Sequence, residues 1–213
     1  RATIKIGNQT VFDEAVPERG KGIGFFSSGS AVAFSELSAF LWETGNLFPK
    51  DAAIATPIGG QADWSVNGYA VTRAKTPDEN FAIPDVPGVP DSYVFKGNVK
   101  VDQYGDQGWH GARIIFRYGD ADHYLILMLS KSGIGYVLEK NGSALSEVAV
   151  FSFGITEGET YPFEIYSKPG EATVKIGGQT VFDGGVPDLG KGVGLYSAGS
   201  GVAFSDLRLY PIV

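Results

Sequence analysis

The chain has 213 residues, of which 19% are charged and 13% aromatic, and it contains 30 glycines but no cysteine. This composition is typical of an all-β protein with many turns. The formal net charge of −7 argues against a nucleic-acid partner, and the lack of cysteine excludes disulfides and thiolate metal sites. No apolar run in the sequence is long enough to span a membrane.

The sequence contains an internal repeat. Residues 1–40 and 171–210 align without a gap, and 24 of the 40 positions are identical. A match of this length identifies a repeated structural unit. It predicts that residues 1–40 are the last four strands of a preceding copy, that 41–210 form one complete module, and that 211–213 begin a linker. Because the chain begins at Arg1 rather than Met, we expect it to be a piece of a longer polypeptide.

Strands are predicted wherever apolar and polar residues alternate between turn residues. Residues 2–6 and 9–12 form such a hairpin around Gly7-Asn8, and residues 20–27 and 31–40 add two strands. Residues 76–90 are predicted to be an extended loop, since they include three prolines within the run AIPDVPGVP. The remaining predicted strands lie in residues 63–72 (a hairpin around Asn67-Gly68), 92–104, 112–118, 123–129, 135–139, 144–152, 161–167 and the repeated segment 171–210.

No segment has a convincing 3.6-residue period, so the sequence predicts no helix. Short strands separated by regular turn signals favour a two-sheet antiparallel β-sandwich. The predicted fold class is therefore all-β.

Five motifs in chain order carry a resemblance to a known family. They are Trp64-Ser-Val-Asn-Gly-Tyr, Gly111-Ala-Arg-Ile-Ile-Phe-Arg-Tyr, His123-Tyr-Leu-Ile, Gly190-Lys-Gly-Val-Gly-Leu-Tyr and Val202-Ala-Phe-Ser-Asp-Leu. This series resembles the laminin-G-like, concanavalin A-like jelly rolls of bacterial secreted proteins. More narrowly, it is similar to family 66 carbohydrate-binding modules and to the glycan-processing proteins that carry domain of unknown function 1080. The resemblance covers residues 63–210, and it implies a jelly roll with an extracellular or cell-surface location.

The candidate carbohydrate-binding residues lie around the second motif. Trp109 offers a flat ring for stacking on a sugar, and His110 offers a hydrogen-bond donor. Arg117 and Asp122 have planar charged groups that could form bidentate hydrogen bonds with neighbouring sugar hydroxyls. Tyr124 is close by in sequence and is the fifth candidate. The resemblance also implies that Arg117, as the arginine of the "FR" motif, lies near the ligand face.

A plainer interpretation of the same residues stays open. Arg113 and Arg117 are four positions apart on one strand, so they could share a solvated face, and Tyr124 could belong to the core. Asp120 and Asp122 are ordinary turn formers. The resemblance makes these two aspartates weak candidates for Ca²⁺ ligands, although Ca²⁺ requires six or more oxygens.

The sequence offers little material for catalysis. No strand has the E-x-D-x-x-E pattern of paired carboxylates that glycosidases of this fold use. The chain has two histidines, no cysteine and no G-x-S-x-G motif. We therefore predict that it is not an enzyme.

Three functions remain open at this stage. The first is a non-catalytic module for carbohydrate binding or adhesion in a tandem array, with a glycan as its partner. The second is a structural subunit of an extracellular fibre, in which residues 1–40 dock on a neighbouring copy. The third is an accessory domain of a glycan-processing enzyme. The internal repeat favours the first two, because a tandem array of modules extends the protein and increases its avidity for a ligand.

Overall fold

The structure is a computed structural model that describes residues 2–6, 9–14, 64–67, 70–76, 79–84 and 89–212. The chain divides into two compact units, Arg1–Trp42 and Glu43–Val213. Within the described residues every regular element is a β-strand. The described part of the chain contains no helix of the length and hydropathy that crossing a membrane requires.

The described part of the first unit is one antiparallel hairpin. Strand β1 (Ala2–Ile6) pairs with β2 (Gln9–Glu14), and a bulge interrupts the register between Ile4 and Lys5. This hairpin confirms the predicted one. The two further strands predicted at 20–27 and 31–40 lie outside the described residues.

The second unit contains the remaining strands. They are β3 (Trp64–Asn67), β4 (Ala70–Arg73), β5 (Glu79–Ala82), β6 (Tyr93–Gln103), β7 (Gly111–Asp120), β8 (His123–Ser130), β9 (Ile134–Asn141), β10 (Ala144–Ser152), β11 (Thr160–Lys168), β12 (Glu171–Ile176), β13 (Gln179–Gly185), β14 (Gly192–Ala198) and β15 (Gly201–Pro211).

These strands form two antiparallel sheets. A six-stranded sheet has the order β10-β9-β8-β7-β14-β5, and a seven-stranded sheet has the order β13-β12-β11-β6-β15-β4-β3. Every described strand pair is antiparallel. The predicted all-β sandwich is confirmed.

The core follows the alternation of side chains along the strands. In β6, alternate residues from Tyr93 to Val101 are buried, among them Phe95 and Val99, while the residues between them are more exposed. Phe95 meets Phe163 of β11 edge to face, with their ring centroids 5.3 Å apart. Such contacts between aromatic rings add to the stabilisation that burial provides.

The six-stranded sheet has a second apolar cluster on its other face. Its buried members come only from β7, β8, β9 and β14, and none belongs to the seven-stranded sheet: Ile115, Tyr124, Ile126, Met128, Leu138, Tyr196 and Ala198. Because successive side chains of a strand point to opposite faces, these residues alternate with the ones that face the other sheet. We refer to this cluster as the outer apolar cluster.

The repeat detected in the sequence recurs in the backbone. Strands β12 and β13 pair Thr173 with Asp183, and β1 and β2 pair Thr3 with Asp13 in the same register. The bulge also recurs, between Val174 and Lys175 in the second copy. The turn of the second hairpin is Gly177-Gly178, with φ of 58° and 82°. Residues that carry a Cβ rarely adopt such positive φ values, so glycine suits both positions.

The prediction of an uninterrupted loop over residues 76–90 is wrong. Strand β5 lies within that range and pairs with β14, placing Phe81 opposite Tyr196. The strand is only four residues long and polar at its start, so its local pattern is weak. Its partner, more than a hundred positions away in the chain, determines its conformation.

Strand β10 is an edge of the six-stranded sheet. Its Leu145 is 55% exposed, and a bulge lies between Glu147 and Ala149. A bulge twists an edge strand and makes it a poorer template for another strand.

We expect Phe163→Ala to lower the free energy of unfolding by about 3–5 kcal/mol, because the truncation leaves a cavity beside Phe95. The control Leu145→Ala removes an exposed side chain and should change that free energy by less than about 0.5 kcal/mol. Urea unfolding followed by circular dichroism measures both. Equal losses in the two variants would contradict the position of Phe163 in the core.

Candidate functional site

Trp109 lies in the loop between β6 and β7, and its side chain is 46% exposed. The loop is fixed by backbone hydrogen bonds. Lys131 N donates to His110 O at 2.9 Å, and Ser132 N donates to Gly108 O at 3.1 Å. Trp109 is therefore an exposed aromatic ring on an anchored loop, as its predicted role in stacking requires.

His110 is buried beneath this loop. Its ring meets the Trp109 ring edge to face, with the centroids 4.3 Å apart. The backbone N of Gln107 donates to His110 Nδ1 at 3.4 Å, which leaves the proton on Nε2. Burial lowers the pKa of His110, so the neutral ring predominates at pH 7. His110 thus supports Trp109 from below and is not placed at the surface as a donor.

Arg113 links Trp109 to the outer apolar cluster. Its Cζ lies 5.6 Å from the centroid of the Trp109 ring and 4.4 Å from that of Tyr196. Its Nη1 lies 3.5 Å from Glu79 Oε1, and Tyr196 donates its hydroxyl hydrogen to Glu79 Oε2. The guanidinium is buried, and its Nε has no hydrogen-bond partner among the residues that the structure describes.

The phenols near this group remain protonated at neutral pH. Burial, with the Glu79 carboxylate as a further contribution, raises the pKa of Tyr124 to about 12. Burial likewise raises the pKa of Tyr196 well above its usual range. At neutral pH, Tyr196 therefore donates its hydroxyl hydrogen to the Glu79 carboxylate. The Glu79 side chain itself is about half exposed, at the edge of the cluster.

Arg117 does not join this group. It lies six positions along β7 from Gly111, which is about 20 Å at about 3.3 Å per residue. Its side chain is 1% exposed, its Nη1 donates to Asp91 O at 2.8 Å, and its Nη2 lies 3.3 Å from Asp188 Oδ1. The guanidinium therefore holds two loops together inside the protein.

The interpretation of Arg113 and Arg117 as two solvated residues on one face is wrong, because both are buried. A bulge between Phe116 and Asp120 breaks the alternation, and Arg117 has a φ of 52°. The spacing of four residues therefore does not place the two side chains together.

The remaining predicted residues lie at the far end of β7. Asp120 Oδ1 accepts hydrogen bonds from Asp122 N and from His123 Nδ1, each at 2.8 Å, and these bonds lower the pKa of Asp120. Tyr124, by contrast, is buried in the outer apolar cluster. The structure therefore separates Arg117, Asp120 and Asp122 from Trp109.

The two aspartates do not fit Ca²⁺ well. One oxygen of Asp120 already accepts two hydrogen bonds, and Ca²⁺ requires six or more oxygen ligands. Within the described ranges, no group of three or more His, Cys, Asp or Glu side chains could hold a metal ion.

Known proteins were compared with the chain by sequence and by structure. No family model matches the sequence, and no curated protein matches it. The carbohydrate-binding module CBM66 from Bacillus subtilis superposes with a TM-score of 0.62 over 76% of this chain and 98% of its own, at 14% identity. The Ca²⁺/Man-bound exoplasmic/lumenal domain of VIP36 gives a TM-score of 0.55 over 72% of this chain and 82% of its own, at 13% identity.

A third structure is much longer than this chain. It is a mutant of the GH43 protein BlXynB from Bacillus licheniformis, with a TM-score of 0.56 and 13% identity. The match covers 83% of this chain and 41% of that protein. The fold is a jelly-roll β-sandwich. The resemblance drawn from the sequence motifs is thereby confirmed for the fold.

Sequence reasoning missed three residues of this site in the jelly roll. The sequence pattern indicates Arg113 only as a solvated residue, and Glu79 lies in the segment predicted to be a loop. Tyr196 lies opposite Arg113 because β14 pairs with β7. No local signal reveals that pairing, since the two strands are about eighty positions apart.

We expect Gly105→Ala to destabilise the loop that carries Trp109. A Cβ at this position would overlap the His110 ring and the carbonyl oxygen of Gly199. Such overpacking costs about 1–3 kcal/mol. The control Gly108→Ala, in the same loop, adds a methyl group with no atom within 4 Å. Urea unfolding of both variants measures the difference, and equal stabilities would contradict the close packing of His110.

Proposed function

We propose that this chain is a non-catalytic carbohydrate-binding module, extracellular or at the cell surface, with Trp109, Arg113, Glu79 and Tyr196 as its glycan site. The observation that carries this proposal is the exposed Trp109 ring beside an arginine and a carboxylate that are already paired. An aromatic face stacks on the apolar side of a sugar ring, and planar charged groups bind its hydroxyls.

The arrangement of the site favours binding because it is organised before a ligand arrives. Arg113 is buried between two aromatic rings, so its planar group has little freedom to lose. Glu79 is held by Tyr196 and by Arg113, while half of its side chain reaches solvent. A sugar hydroxyl would therefore meet an acceptor of fixed position beside the Trp109 ring.

The known structures support a role in carbohydrate binding. One of them is named as a carbohydrate-binding module, and another is a domain with bound mannose. The match to part of a GH43 protein leaves room for the alternative that this module accompanies an enzyme. Of the residues predicted from the sequence, Trp109 belongs to the proposed site and His110 supports it from below.

The test begins with a glycan array on the intact chain, followed by calorimetry with the glycans that bind. Trp109→Ala should weaken binding about tenfold or more, because losing an aromatic anchor costs upwards of about 1.4 kcal/mol. Trp109→Phe should retain part of the affinity, and Leu145→Ala, at an exposed position on β10, should retain all of it. An array without a hit, or equal affinity in Trp109→Ala, would contradict the proposal.

A second candidate function is the end-to-end assembly of copies of this chain. The observation that favours it is the repeated hairpin, since β1–β2 matches β12–β13 in sequence and register. Strand β12 pairs with β11, and Lys175 lies opposite Glu164. Lys5 occupies the equivalent position of β1 in the same register. We propose that the β1–β2 hairpin can take the place of β12–β13 beside β11 of another copy, as in strand addition.

Cysteine cross-linking tests this assembly, because the chain has no cysteine of its own. The double variant Lys5→Cys/Glu164→Cys should form disulfide-linked dimers and longer species, in a yield that rises with protein concentration because β12 competes within each chain. The control Lys175→Cys/Glu164→Cys should form its disulfide within one chain at any concentration. Only monomers of the first variant at high concentration would rule out the assembly.

A further inference from the structure

The outer face of the seven-stranded sheet contains a groove that is remote from Trp109. Its volume is about 920 Å³, and it runs from β13 across β12 and β11 to β6. Tyr166 of β11 lies in the lining, beside Lys168, and Thr173, Lys175 and Asp183 come from the β12–β13 hairpin. The proposed Trp109 site belongs to the other sheet, so this groove is a separate feature of the molecule.

A second hollow, of about 280 Å³, continues the depression on the same face, and its lining includes Tyr210, Lys96 and Glu164. Strand register relates the two hollows. Val94 of β6 lies opposite Tyr166 of β11 on one side and opposite Tyr210 of β15 on the other. The two tyrosines are therefore two strands apart in one row, which corresponds to about 9.6 Å.

A cation lies over each tyrosine ring. Lys175 Nζ is 5.2 Å from the centroid of Tyr166, and Lys96 Nζ is 4.8 Å from that of Tyr210. Among the described residues, no carboxylate lies within 4.0 Å of either ammonium. Each ring thus lies beside a donor that forms no ion pair with the described part of the chain.

Acceptors lie next to the same rings. Glu164 accepts the hydroxyl hydrogen of Tyr166 at 3.0 Å, and Asp183 accepts that of Thr173 at 2.7 Å. The linings of the two hollows together carry four cationic side chains and four carboxylates. Interspersed donors and acceptors without a net charge suit a neutral ligand that is rich in hydroxyl groups.

The repeat adds an independent observation. The positions of β12 that point outward, Thr173 and Lys175, are identical in β1, as Thr3 and Lys5. Asp183 of β13 is likewise retained, as Asp13, whereas Glu171, Gly184 and Gly185 of the lining are replaced by Arg1, Glu14 and Ala15. The repeat therefore retains three of the polar side chains that line the groove.

We propose that this face is a second glycan site, which binds an extended neutral polysaccharide through contact of its sugar rings with Tyr166 and Tyr210. The lysines and carboxylates beside the rings bind the hydroxyl groups. The site does not depend on the proposed function of Trp109, since the two lie on different sheets. With both sites active, one chain holds two polysaccharide strands.

Affinity electrophoresis in gels that contain hydroxyethylcellulose, xylan or dextran tests the proposal, with polygalacturonate as an acidic arm. The parent chain and Trp109→Ala should both be retarded in at least one neutral gel. Tyr166→Ala/Tyr210→Ala should weaken that retardation about tenfold, as expected for the loss of aromatic contacts. Tyr166→Phe/Tyr210→Phe retains the rings and should retain most of the binding.

A further variant guards against misfolding of the alanine pair. Lys96→Ala/Lys175→Ala leaves both rings in place and should weaken the retardation severalfold. Lys100→Ala is its control, because Lys100 already pairs with Asp102 at 2.6 Å. The proposal is overturned if no neutral gel retards Trp109→Ala, if retardation occurs with polygalacturonate alone, or if the lysine pair and the tyrosine pair behave like the parent.

Discussion

The buried guanidinium of Arg117 is the interaction on which the arrangement of the two sheets depends most. A buried charge is costly unless it is paired and hydrogen-bonded, so its partners cannot move independently. Arg117 binds the backbone that precedes β6 and the loop that precedes β14, and its own amide donates to the hydroxyl of Tyr93 in the opposite sheet at 3.0 Å. The bulge at this position belongs to the same arrangement, because the positive φ turns the side chain inward.

The opposite end of β7 uses a different device. There a neutral histidine fills the space between two glycines and supports an exposed tryptophan, while Arg113 connects that tryptophan to a buried tyrosine. One strand therefore carries a structural end and, at its other end, the proposed glycan site. The division explains how two arginines only four positions apart can have unrelated roles.

The sequence was sufficient for the fold class, because alternation and glycine-containing turns are local signals. The hairpin around Gly177-Gly178 is an example, and its earlier copy follows from identity alone. Strand β5 was missed because its partner β14 is distant in the chain. The candidate site was predicted in part: Trp109 is exposed as expected, whereas Arg113, Glu79 and Tyr196 meet only through sheet pairing, and the bulge at Arg117 has no local sequence signature.

Strand β10 bears on how the molecule avoids unwanted association. It is the last strand of its sheet, and Leu145 and Val150 are exposed there, so a foreign strand would gain both hydrogen bonds and apolar contact. The bulge between Glu147 and Ala149 introduces one unpaired residue, and a flat incoming strand would lose its register at that point. A bulged edge is therefore a poorer template for a regular strand than a flat one, and this lowers its tendency to extend the sheet into another molecule.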